Sequence, residues 1–278
     1  GNVTSHLNGL FFRITNLLSY NIIPWFIFDG KPPKFKWKTI QERNNMRMEA
    51  AQLANKIENP EERAIYLRRV IKVDDYIIDS SKKLLDLMGV PFFQAPSEGE
   101  AEAAYLNKNN KAYAVASQDY DTLIFGGIRL VRNLSITGRR KVQNKRVFVK
   151  INPEIIILDD VLKSLGLTQE QLVVIALLIG TDYNEGVKGI GPKKALSIVK
   201  KEDINKILSS YDFNTEYDIH EIFNFFINPE VEMTDMEKKS IKINELRHFL
   251  VDEHDFSLDR FNQSIQKFEG GYNKLTGF

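Results

Sequence analysis

The sequence predicts an α/β protein with a mostly parallel central sheet flanked by helices. Three observations carry this. Short apolar runs at residues 22–28, 90–94 and 112–116 read as buried strands. Segments with helix-forming composition or apolar residues at helical spacing separate them, and strands alternating with helices favour parallel pairing. Each run also ends beside carboxylates, where open α/β sheets place their ligand sites.

Taken in order, residues 8–19 set Leu10, Phe11, Ile14, Leu17 and Leu18 at helical spacing, and 22–28 form a strand ending at Asp29-Gly30. Residues 31–81 are polar, basic and helix-forming, divided by Asn59-Pro60, and too long for a plain strand connection. Residues 81–88 close a helix capped by Gly89, and 90–94 are a strand. Ser97-x-x-Glu100 is a capping-box pattern opening a helix through Asn107. The strand 112–116 leads into Gln118-Asp119-Tyr120-Asp121. Residues 129–149 alternate apolar and basic around Thr137-Gly138, the pattern of a hairpin. Thr168-x-x-Gln171 opens a capped helix over 169–179, closed by Gly180. Gly189-Ile190-Gly191-Pro192 turns into a further helix with proline at its first position. Residues 206–278 read as mainly helical, with Tyr211, Phe213, Phe223, Phe225 and Phe226 as core.

Composition narrows the function classes. The 278 residues are 43% hydrophobic, enough for a sizeable core, which argues against a disordered chain. Cysteine is absent, which excludes disulfide scaffolds, thiolate zinc sites and thiol nucleophiles. The longest apolar run, 172–180, is far short of the ~20 residues of a membrane span, so no membrane partner is expected. The chain opens on Gly1 rather than methionine, and residues are expected to be missing before it. The net charge of +1 conceals a segregation. Residues 31–48 carry six bases against one acid, 129–150 eight against none, and 188–201 five against none, whereas 202–278 carry sixteen acids against eight bases. Separated basic stretches suit a polyanion that touches several points of the fold; read singly, each is a solvated face.

Asp29, Glu98, Glu100, Asp119 and Asp121 all follow strands, and Asp182 follows the helix that stops at Gly180. Like charges ~4 Å apart repel by ~4 kcal/mol at an effective dielectric near 20, so a gathered cluster needs a cation. With oxygen ligands alone, that cation is a hard one, Mg²⁺ or Mn²⁺, and two such ions ~4 Å apart suit phosphodiester cleavage. Each acid also has a purely structural reading: Glu98 and Glu100 in the first turn of a helix, Glu100 as capping partner of Ser97, and the aspartates as turn residues. In the 189–194 turn, Gly189 and Gly191 permit positive φ. The turn aims backbone N–H groups at an anion, with Lys193 and Lys194 beside it. This is the helix-hairpin-helix grip on a DNA phosphate, and its carbonyls suit a monovalent cation; the plainer reading is an inter-helix turn.

The stretches Phe28-Asp29-Gly30-Lys31-Pro32-Pro33, Ala95-Pro96-Ser97-Glu98-Gly99-Glu100-Ala101-Glu102-Ala103, Ser117-Gln118-Asp119-Tyr120-Asp121 and Gly180-Thr181-Asp182-Tyr183, followed by Gly189-Ile190-Gly191-Pro192-Lys193, resemble the motifs of the flap endonucleases, structure-specific members of the 5′-nuclease superfamily. The archaeal branch is the most similar, over roughly residues 1–201. The resemblance implies one nuclease domain over 1–278, N-terminally incomplete. Within it fall a helical arch at about 31–81, a helix-hairpin-helix region at about 168–205 and a helical part at 206–278. It implies metal binding by Asp29, Glu98, Glu100, Asp119, Asp121 and Asp182, and reach to the scissile phosphate by Lys36 and Arg43. It also implies K⁺ at the 189–192 turn, branched DNA with a 5′ flap as substrate, and a sliding clamp as partner. The expected location is cytoplasmic, or nuclear if the source is a eukaryote. One further metal-binding aspartate of the family, the segments gripping a 3′ flap and the clamp motif have no counterpart in this sequence. A junction-binding module without catalysis and a related nuclease for RNA or for bubble or gapped DNA are the other readings.

Overall fold

The structure, a computed structural model, describes residues 4–70, 72–134, 139–141 and 148–272. Helix α1 (Ser5–Ser19) leads into β1 (Phe26–Phe28). The strand is shorter than the apolar run before it, because Ile22 and Ile23 stay exposed and Pro24 lacks an N–H to donate. A 3-10 turn (Lys34–Lys36) opens the helix pair α2 (Trp37–Lys56) and α3 (Pro60–Val70), with Pro60 opening α3. Next comes α4 (Asp75–Leu87), capped by the Asp74 carboxylate on the Ile77 N–H; it is followed by Gly89 at φ +65°.

Then follow β2 (Phe92–Gln94), α5 (Gly99–Lys108), β3 (Val115–Ala116), α6 (Asp121–Ile124), β4 (Arg129–Arg132), β5 (Arg139–Lys141), β6 (Phe148–Lys150) and β7 (Glu154–Ile157). The second half is helical: α7 (Leu158–Leu165), α8 (Gln169–Ile179), α9 (Pro192–Val199), α10 (Ile204–Ser210), α11 (Ile219–Ile227), α12 (Ile243–Arg247) running into a π-helical turn (His248–Asp252), and α13 (Leu258–Tyr272). Thr168 and Gln171 form the full capping box of α8.

The α/β class holds, with a small sheet in separate pieces. The strands that precede the acids pair in parallel: β1 with β2 (Phe26 opposite Phe92) and β3 with β4 (Val115 opposite Leu130). β7 adds to β4 antiparallel, and β5 pairs with β6 antiparallel. The hairpin expected over 129–149 is therefore redrawn. Residues 129–132 belong to the sheet, because Leu130 is fully buried between Val115 and Ile156. Beyond them, residues 139–141 pair antiparallel with 148–150. Thr137-Gly138 lies outside the described residues.

Two cores flank the strands. Leu7, Phe11 and Ile14 of α1 pack with Leu84 and Leu85 of α4, Leu250 of the π-helical turn and Phe261 of α13, and Phe26, Phe28 and Phe92 of the strands press on this cluster. Val173, Leu177 and Leu178 of α8 pack with Ile198 of α9 and Phe226 of α11 in the second. Phe213 and Phe226 are buried there, with Tyr211, Phe223 and Phe225 packed around them, so these aromatics are core as expected. Each fully buried side chain of this size contributes about 1.5–3 kcal/mol.

Candidate active site

The acids gather where the strands end. Asp29 follows β1, and its Oδ1 accepts the Gly99 N–H at 2.8 Å, tying the end of β1 to the start of α5. Glu98 holds the N-cap position of α5 in extended backbone and is 7% exposed. Glu100 stands in the first turn, and its two carboxylate oxygens accept the hydroxyls of Ser117 and Thr122. Asp119 and Asp121 flank the start of α6, and Asp182 lies in the loop after α8. The Ser97–Glu100 capping box is not formed: α5 has no cap bond from its own N-cap side chain. Two hydroxyls draw Glu100 away, while the Asp29 carboxylate takes the N–H at the helix start.

Electrostatics show how close the acids stand. Burial, then Asp119, Asp182 and Glu100, push the Asp121 carboxyl up to about 7, and Lys36 offsets this only in part. Burial raises Glu98, with Asp29 and Asp182 adding to the rise and Lys36 opposing it. Burial likewise raises the Tyr183 hydroxyl, and Glu98, Asp121, Asp182 and Asp29 all add to it. Two cations enter from the base of α2. Lys36 Nζ donates to Glu98 Oε2 at 2.5 Å and stands 3.8 Å from Asp182 Oδ2. Arg43 Nη2 donates to Asp182 Oδ1 and Oδ2 at 2.8 and 2.9 Å.

Asp29, Glu98, Glu100, Asp119, Asp121, Asp182, Lys36 and Arg43 thus share one pocket. Among the described residues, no three of these acids are drawn together closely enough to hold a metal ion as they stand. Gly189, Gly191, Lys193 and Lys194 form a separate feature, the exposed turn into α9. Gly189 has φ +79°, as a tight turn requires. Gly191, which could also take positive φ, is extended at φ −102°. The cause is Pro192, whose ring pushes the preceding residue into that region.

Four residues of the pocket carried no sequence assignment: Thr39, Thr122, Tyr183 and Phe35. Tyr183 sits inside a quoted motif, and Phe35 adjoins Lys36, so proximity to the motif was the available signal. Thr39 and Thr122 had none, because their partners are distant in sequence.

A family model for the XPG N-terminal domain matches residues 1–50, and one for the XPG I-region matches 89–182. Every acid and cation of the pocket falls within those two segments, which makes the chain an XPG-type nuclease. The chain is 46% identical over 97% of its length to Flap endonuclease 1 of Archaeoglobus fulgidus, covering 81% of that protein, and 47% identical to Flap endonuclease 1 of Thermococcus onnurineus, covering 97% of this chain and 80% of that protein. It superposes on the flap endonuclease-1 structure from Methanococcus jannaschii with TM-score 0.73 and 36% identity, covering 99% of this chain and 84% of that one. The catalytic core of Rad2 in complex with DNA substrate, 22% identical over 96% of this chain and 85% of that one, shares the fold at TM-score 0.70. The chain belongs to the flap endonuclease family.

Proposed function

We propose that this protein is a metal-dependent, structure-specific endonuclease. It hydrolyses the phosphodiester at the base of a single-stranded 5′ DNA flap during replication and repair, leaving a nick that a ligase can seal. The carrying observation is the meeting of acids from four separate chain segments with two cations at the base of α2, Lys36 and Arg43, in one pocket.

The donor set suits Mg²⁺, with Mn²⁺ as a substitute. It offers oxygen alone, and Asp121, raised by burial and by the acids around it, is offset only in part by Lys36. Asp29, Glu98, Glu100, Asp119, Asp121 and Asp182 would hold two ions. Bound there, the ions supply Lewis acidity toward the phosphodiester and acidify water. Lys36 and Arg43 stabilise the charge that grows on the phosphoryl oxygens. Ser117 and Thr122 orient Glu100 by their hydroxyl bonds, and Gly99 orients Asp29. Tyr183, buried beside the carboxylates, would keep their surroundings dry.

The α2–α3 pair serves as the arch that the flap strand passes. The 189–194 turn holds duplex backbone through Lys193, Lys194 and its N–H groups, with K⁺ at its carbonyls. Specificity then follows junction shape rather than base sequence. A sliding clamp as partner, and the cytoplasm (the nucleus in a eukaryote) as location, belong to the same reading.

Cleavage of a 5′-flap duplex in Mg²⁺ tests this. The wild type is expected to cut at the junction, and Asp121→Ala to lose about 10³-fold in single-turnover rate. Its flap affinity in EDTA should stay within a few fold. A wild type that cuts bubble or RNA substrates and spares the flap, or an undiminished Asp121→Ala, overturns the reading.

A further inference from the structure

Residues 34–43 lie along the loop 181–185. Phe35 is buried, its ring edge-on to Tyr183 at 6.0 Å, to Tyr217 at 5.7 Å and to Phe225 at 5.5 Å. The next residue on each side, Lys36 and Asp182, face each other at 3.8 Å. Three residues on, Thr39 Oγ1 donates to the Asp182 carbonyl oxygen at 2.6 Å. Four further on, Arg43 takes the Asp182 carboxylate. Beside them the Lys38 ammonium pairs with Glu185, whose other oxygen accepts from Asn214 Nδ2. Positions 36, 39 and 43 share one helix face.

We infer that Thr39 is a positioning residue for cleavage: its hydroxyl fixes the register between the first turn of α2 and the loop bearing Asp182, and so fixes where Lys36 and Arg43 stand. The other polar links here are poor rulers. Lys38, Glu185 and Arg43 are about half exposed, on long side chains whose ion pairs in water contribute little and fix no backbone distance. Thr39 has one side-chain torsion between its hydroxyl and the backbone, and its partner is itself backbone, so a single neutral bond ties main chain to main chain. It also leaves the Asp182 carboxylate to Lys36 and Arg43. A β-branched residue is a modest helix former, and no propensity argument favours Thr at this site. Phe35 anchors the same turn through non-directional ring contacts, to which Thr39 adds a directional bond. Misplacing a catalytic cation by an ångström is enough to cost up to about 10²-fold in rate.

The inference rests on the endonuclease reading, and its test separates the two. Thr39→Val removes the hydroxyl at constant shape, and Thr39→Ser restores it. In single-turnover cleavage of a 5′ flap, Thr39→Val is expected about tenfold slow, with flap affinity in EDTA within about twofold of wild type. Thr39→Ser should return to within about twofold of the wild-type rate. A second readout needs no cleavage. Trp25→Phe leaves Trp37, half-exposed and two residues from Thr39, as the single indole. Its quenching by acrylamide should rise in Thr39→Val and not in Thr39→Ser. Thr39→Val at the wild-type rate, or Thr39→Ser as slow as Thr39→Val, overturns the inference. A wild type that cuts no flap brings down the functional reading instead, and the quenching series then decides: unchanged quenching in Thr39→Val overturns the role given to Thr39.

Discussion

The helix pair α2–α3 and the helix pair α8–α9 both carry cations that the proposed function brings to the DNA, yet they are built on opposite principles. α8 buries Val173, Val174, Leu177 and Leu178, and α9 buries Ala195, Ile198 and Val199. α2 buries only Ala50 and Ala54, α3 buries nothing, and Met46, Leu53 and Ile65 stay exposed. The α8–α9 pair is part of a core, so the turn between its helices is presented at a fixed place. The α2–α3 pair is held at its base by Phe35, Thr39 and ion pairs, and beyond that base it makes few contacts that resist opening. In the proposed function, the turn that holds duplex would benefit from the rigid construction, and the arch that a single strand passes would benefit from the other.

The largest expected effect sets the two pairs directly against each other. Leu177→Ala should cost about 3 kcal/mol of unfolding free energy, by transfer and cavity terms together. Ile65→Ala, at an exposed site of α3, should stay within about 0.5 kcal/mol. Urea denaturation checks both. A loss at Ile65 that matched the loss at Leu177 would mean that α3 docks on the body of the protein and that the contrast is false.

The next effect asks how far the cations of α2 reach. They pair with Glu98 and Asp182, but Asp121 keeps a carboxyl raised to about 7. Its folded pKa lies above its unfolded value, so the native state binds the extra proton. The contribution to stability is fully present below about pH 4 and is lost as pH rises through 7. Asp121→Asn should therefore match wild-type stability near pH 4. In EDTA at pH 8 it should exceed it by roughly 2 kcal/mol, about half the full electrostatic ceiling because the side chain is partly solvated. Thermal unfolding in EDTA across that range checks it. Equal stability of the two proteins at every pH would place the neutralising reach of Lys36 over Asp121 as well.

Where sequence reasoning succeeded and failed follows the range of the interactions. The α8 box and the Gly89 end of α4 are local, and Thr168, Gln171 and Gly89 behave as their spacing requires. The acids were legible because strand ends are local features and the sheet brings them together. The Ser97–Glu100 box was misread, although its pattern is complete, because Ser117 and Thr122 compete for Glu100 from across the fold. Residues 129–132 looked like half of a hairpin until a partner strand at 154–157 claimed them. Gly191 shows the reverse, a local rule overlooked: proline after it already fixes an extended backbone. Thr39 was invisible for the same reason as Thr122, since its meaning lies 143 residues away.

The smallest effect separates the two pairs by what their lysines do. Lys193 and Lys194 are exposed at the start of a helix whose backbone the core holds still, so on the proposed function each would act on a phosphate as a fixed charge. Removing either should weaken flap binding by a few fold and lower the slope of log affinity against log salt by about one. Cleavage at saturating enzyme should not change, because a fixed anchor contributes equally to bound substrate and transition state. Lys36 stands among the carboxylates instead, and Lys36→Ala should slow saturating cleavage while leaving the salt slope nearly intact. Binding titrations at several salt concentrations, paired with single-turnover rates, measure both quantities on the same proteins. If Lys193→Ala slows cleavage at saturation, the turn does more than hold duplex: it feeds the reacting strand toward the pocket, and its rigidity becomes part of catalysis rather than of grip.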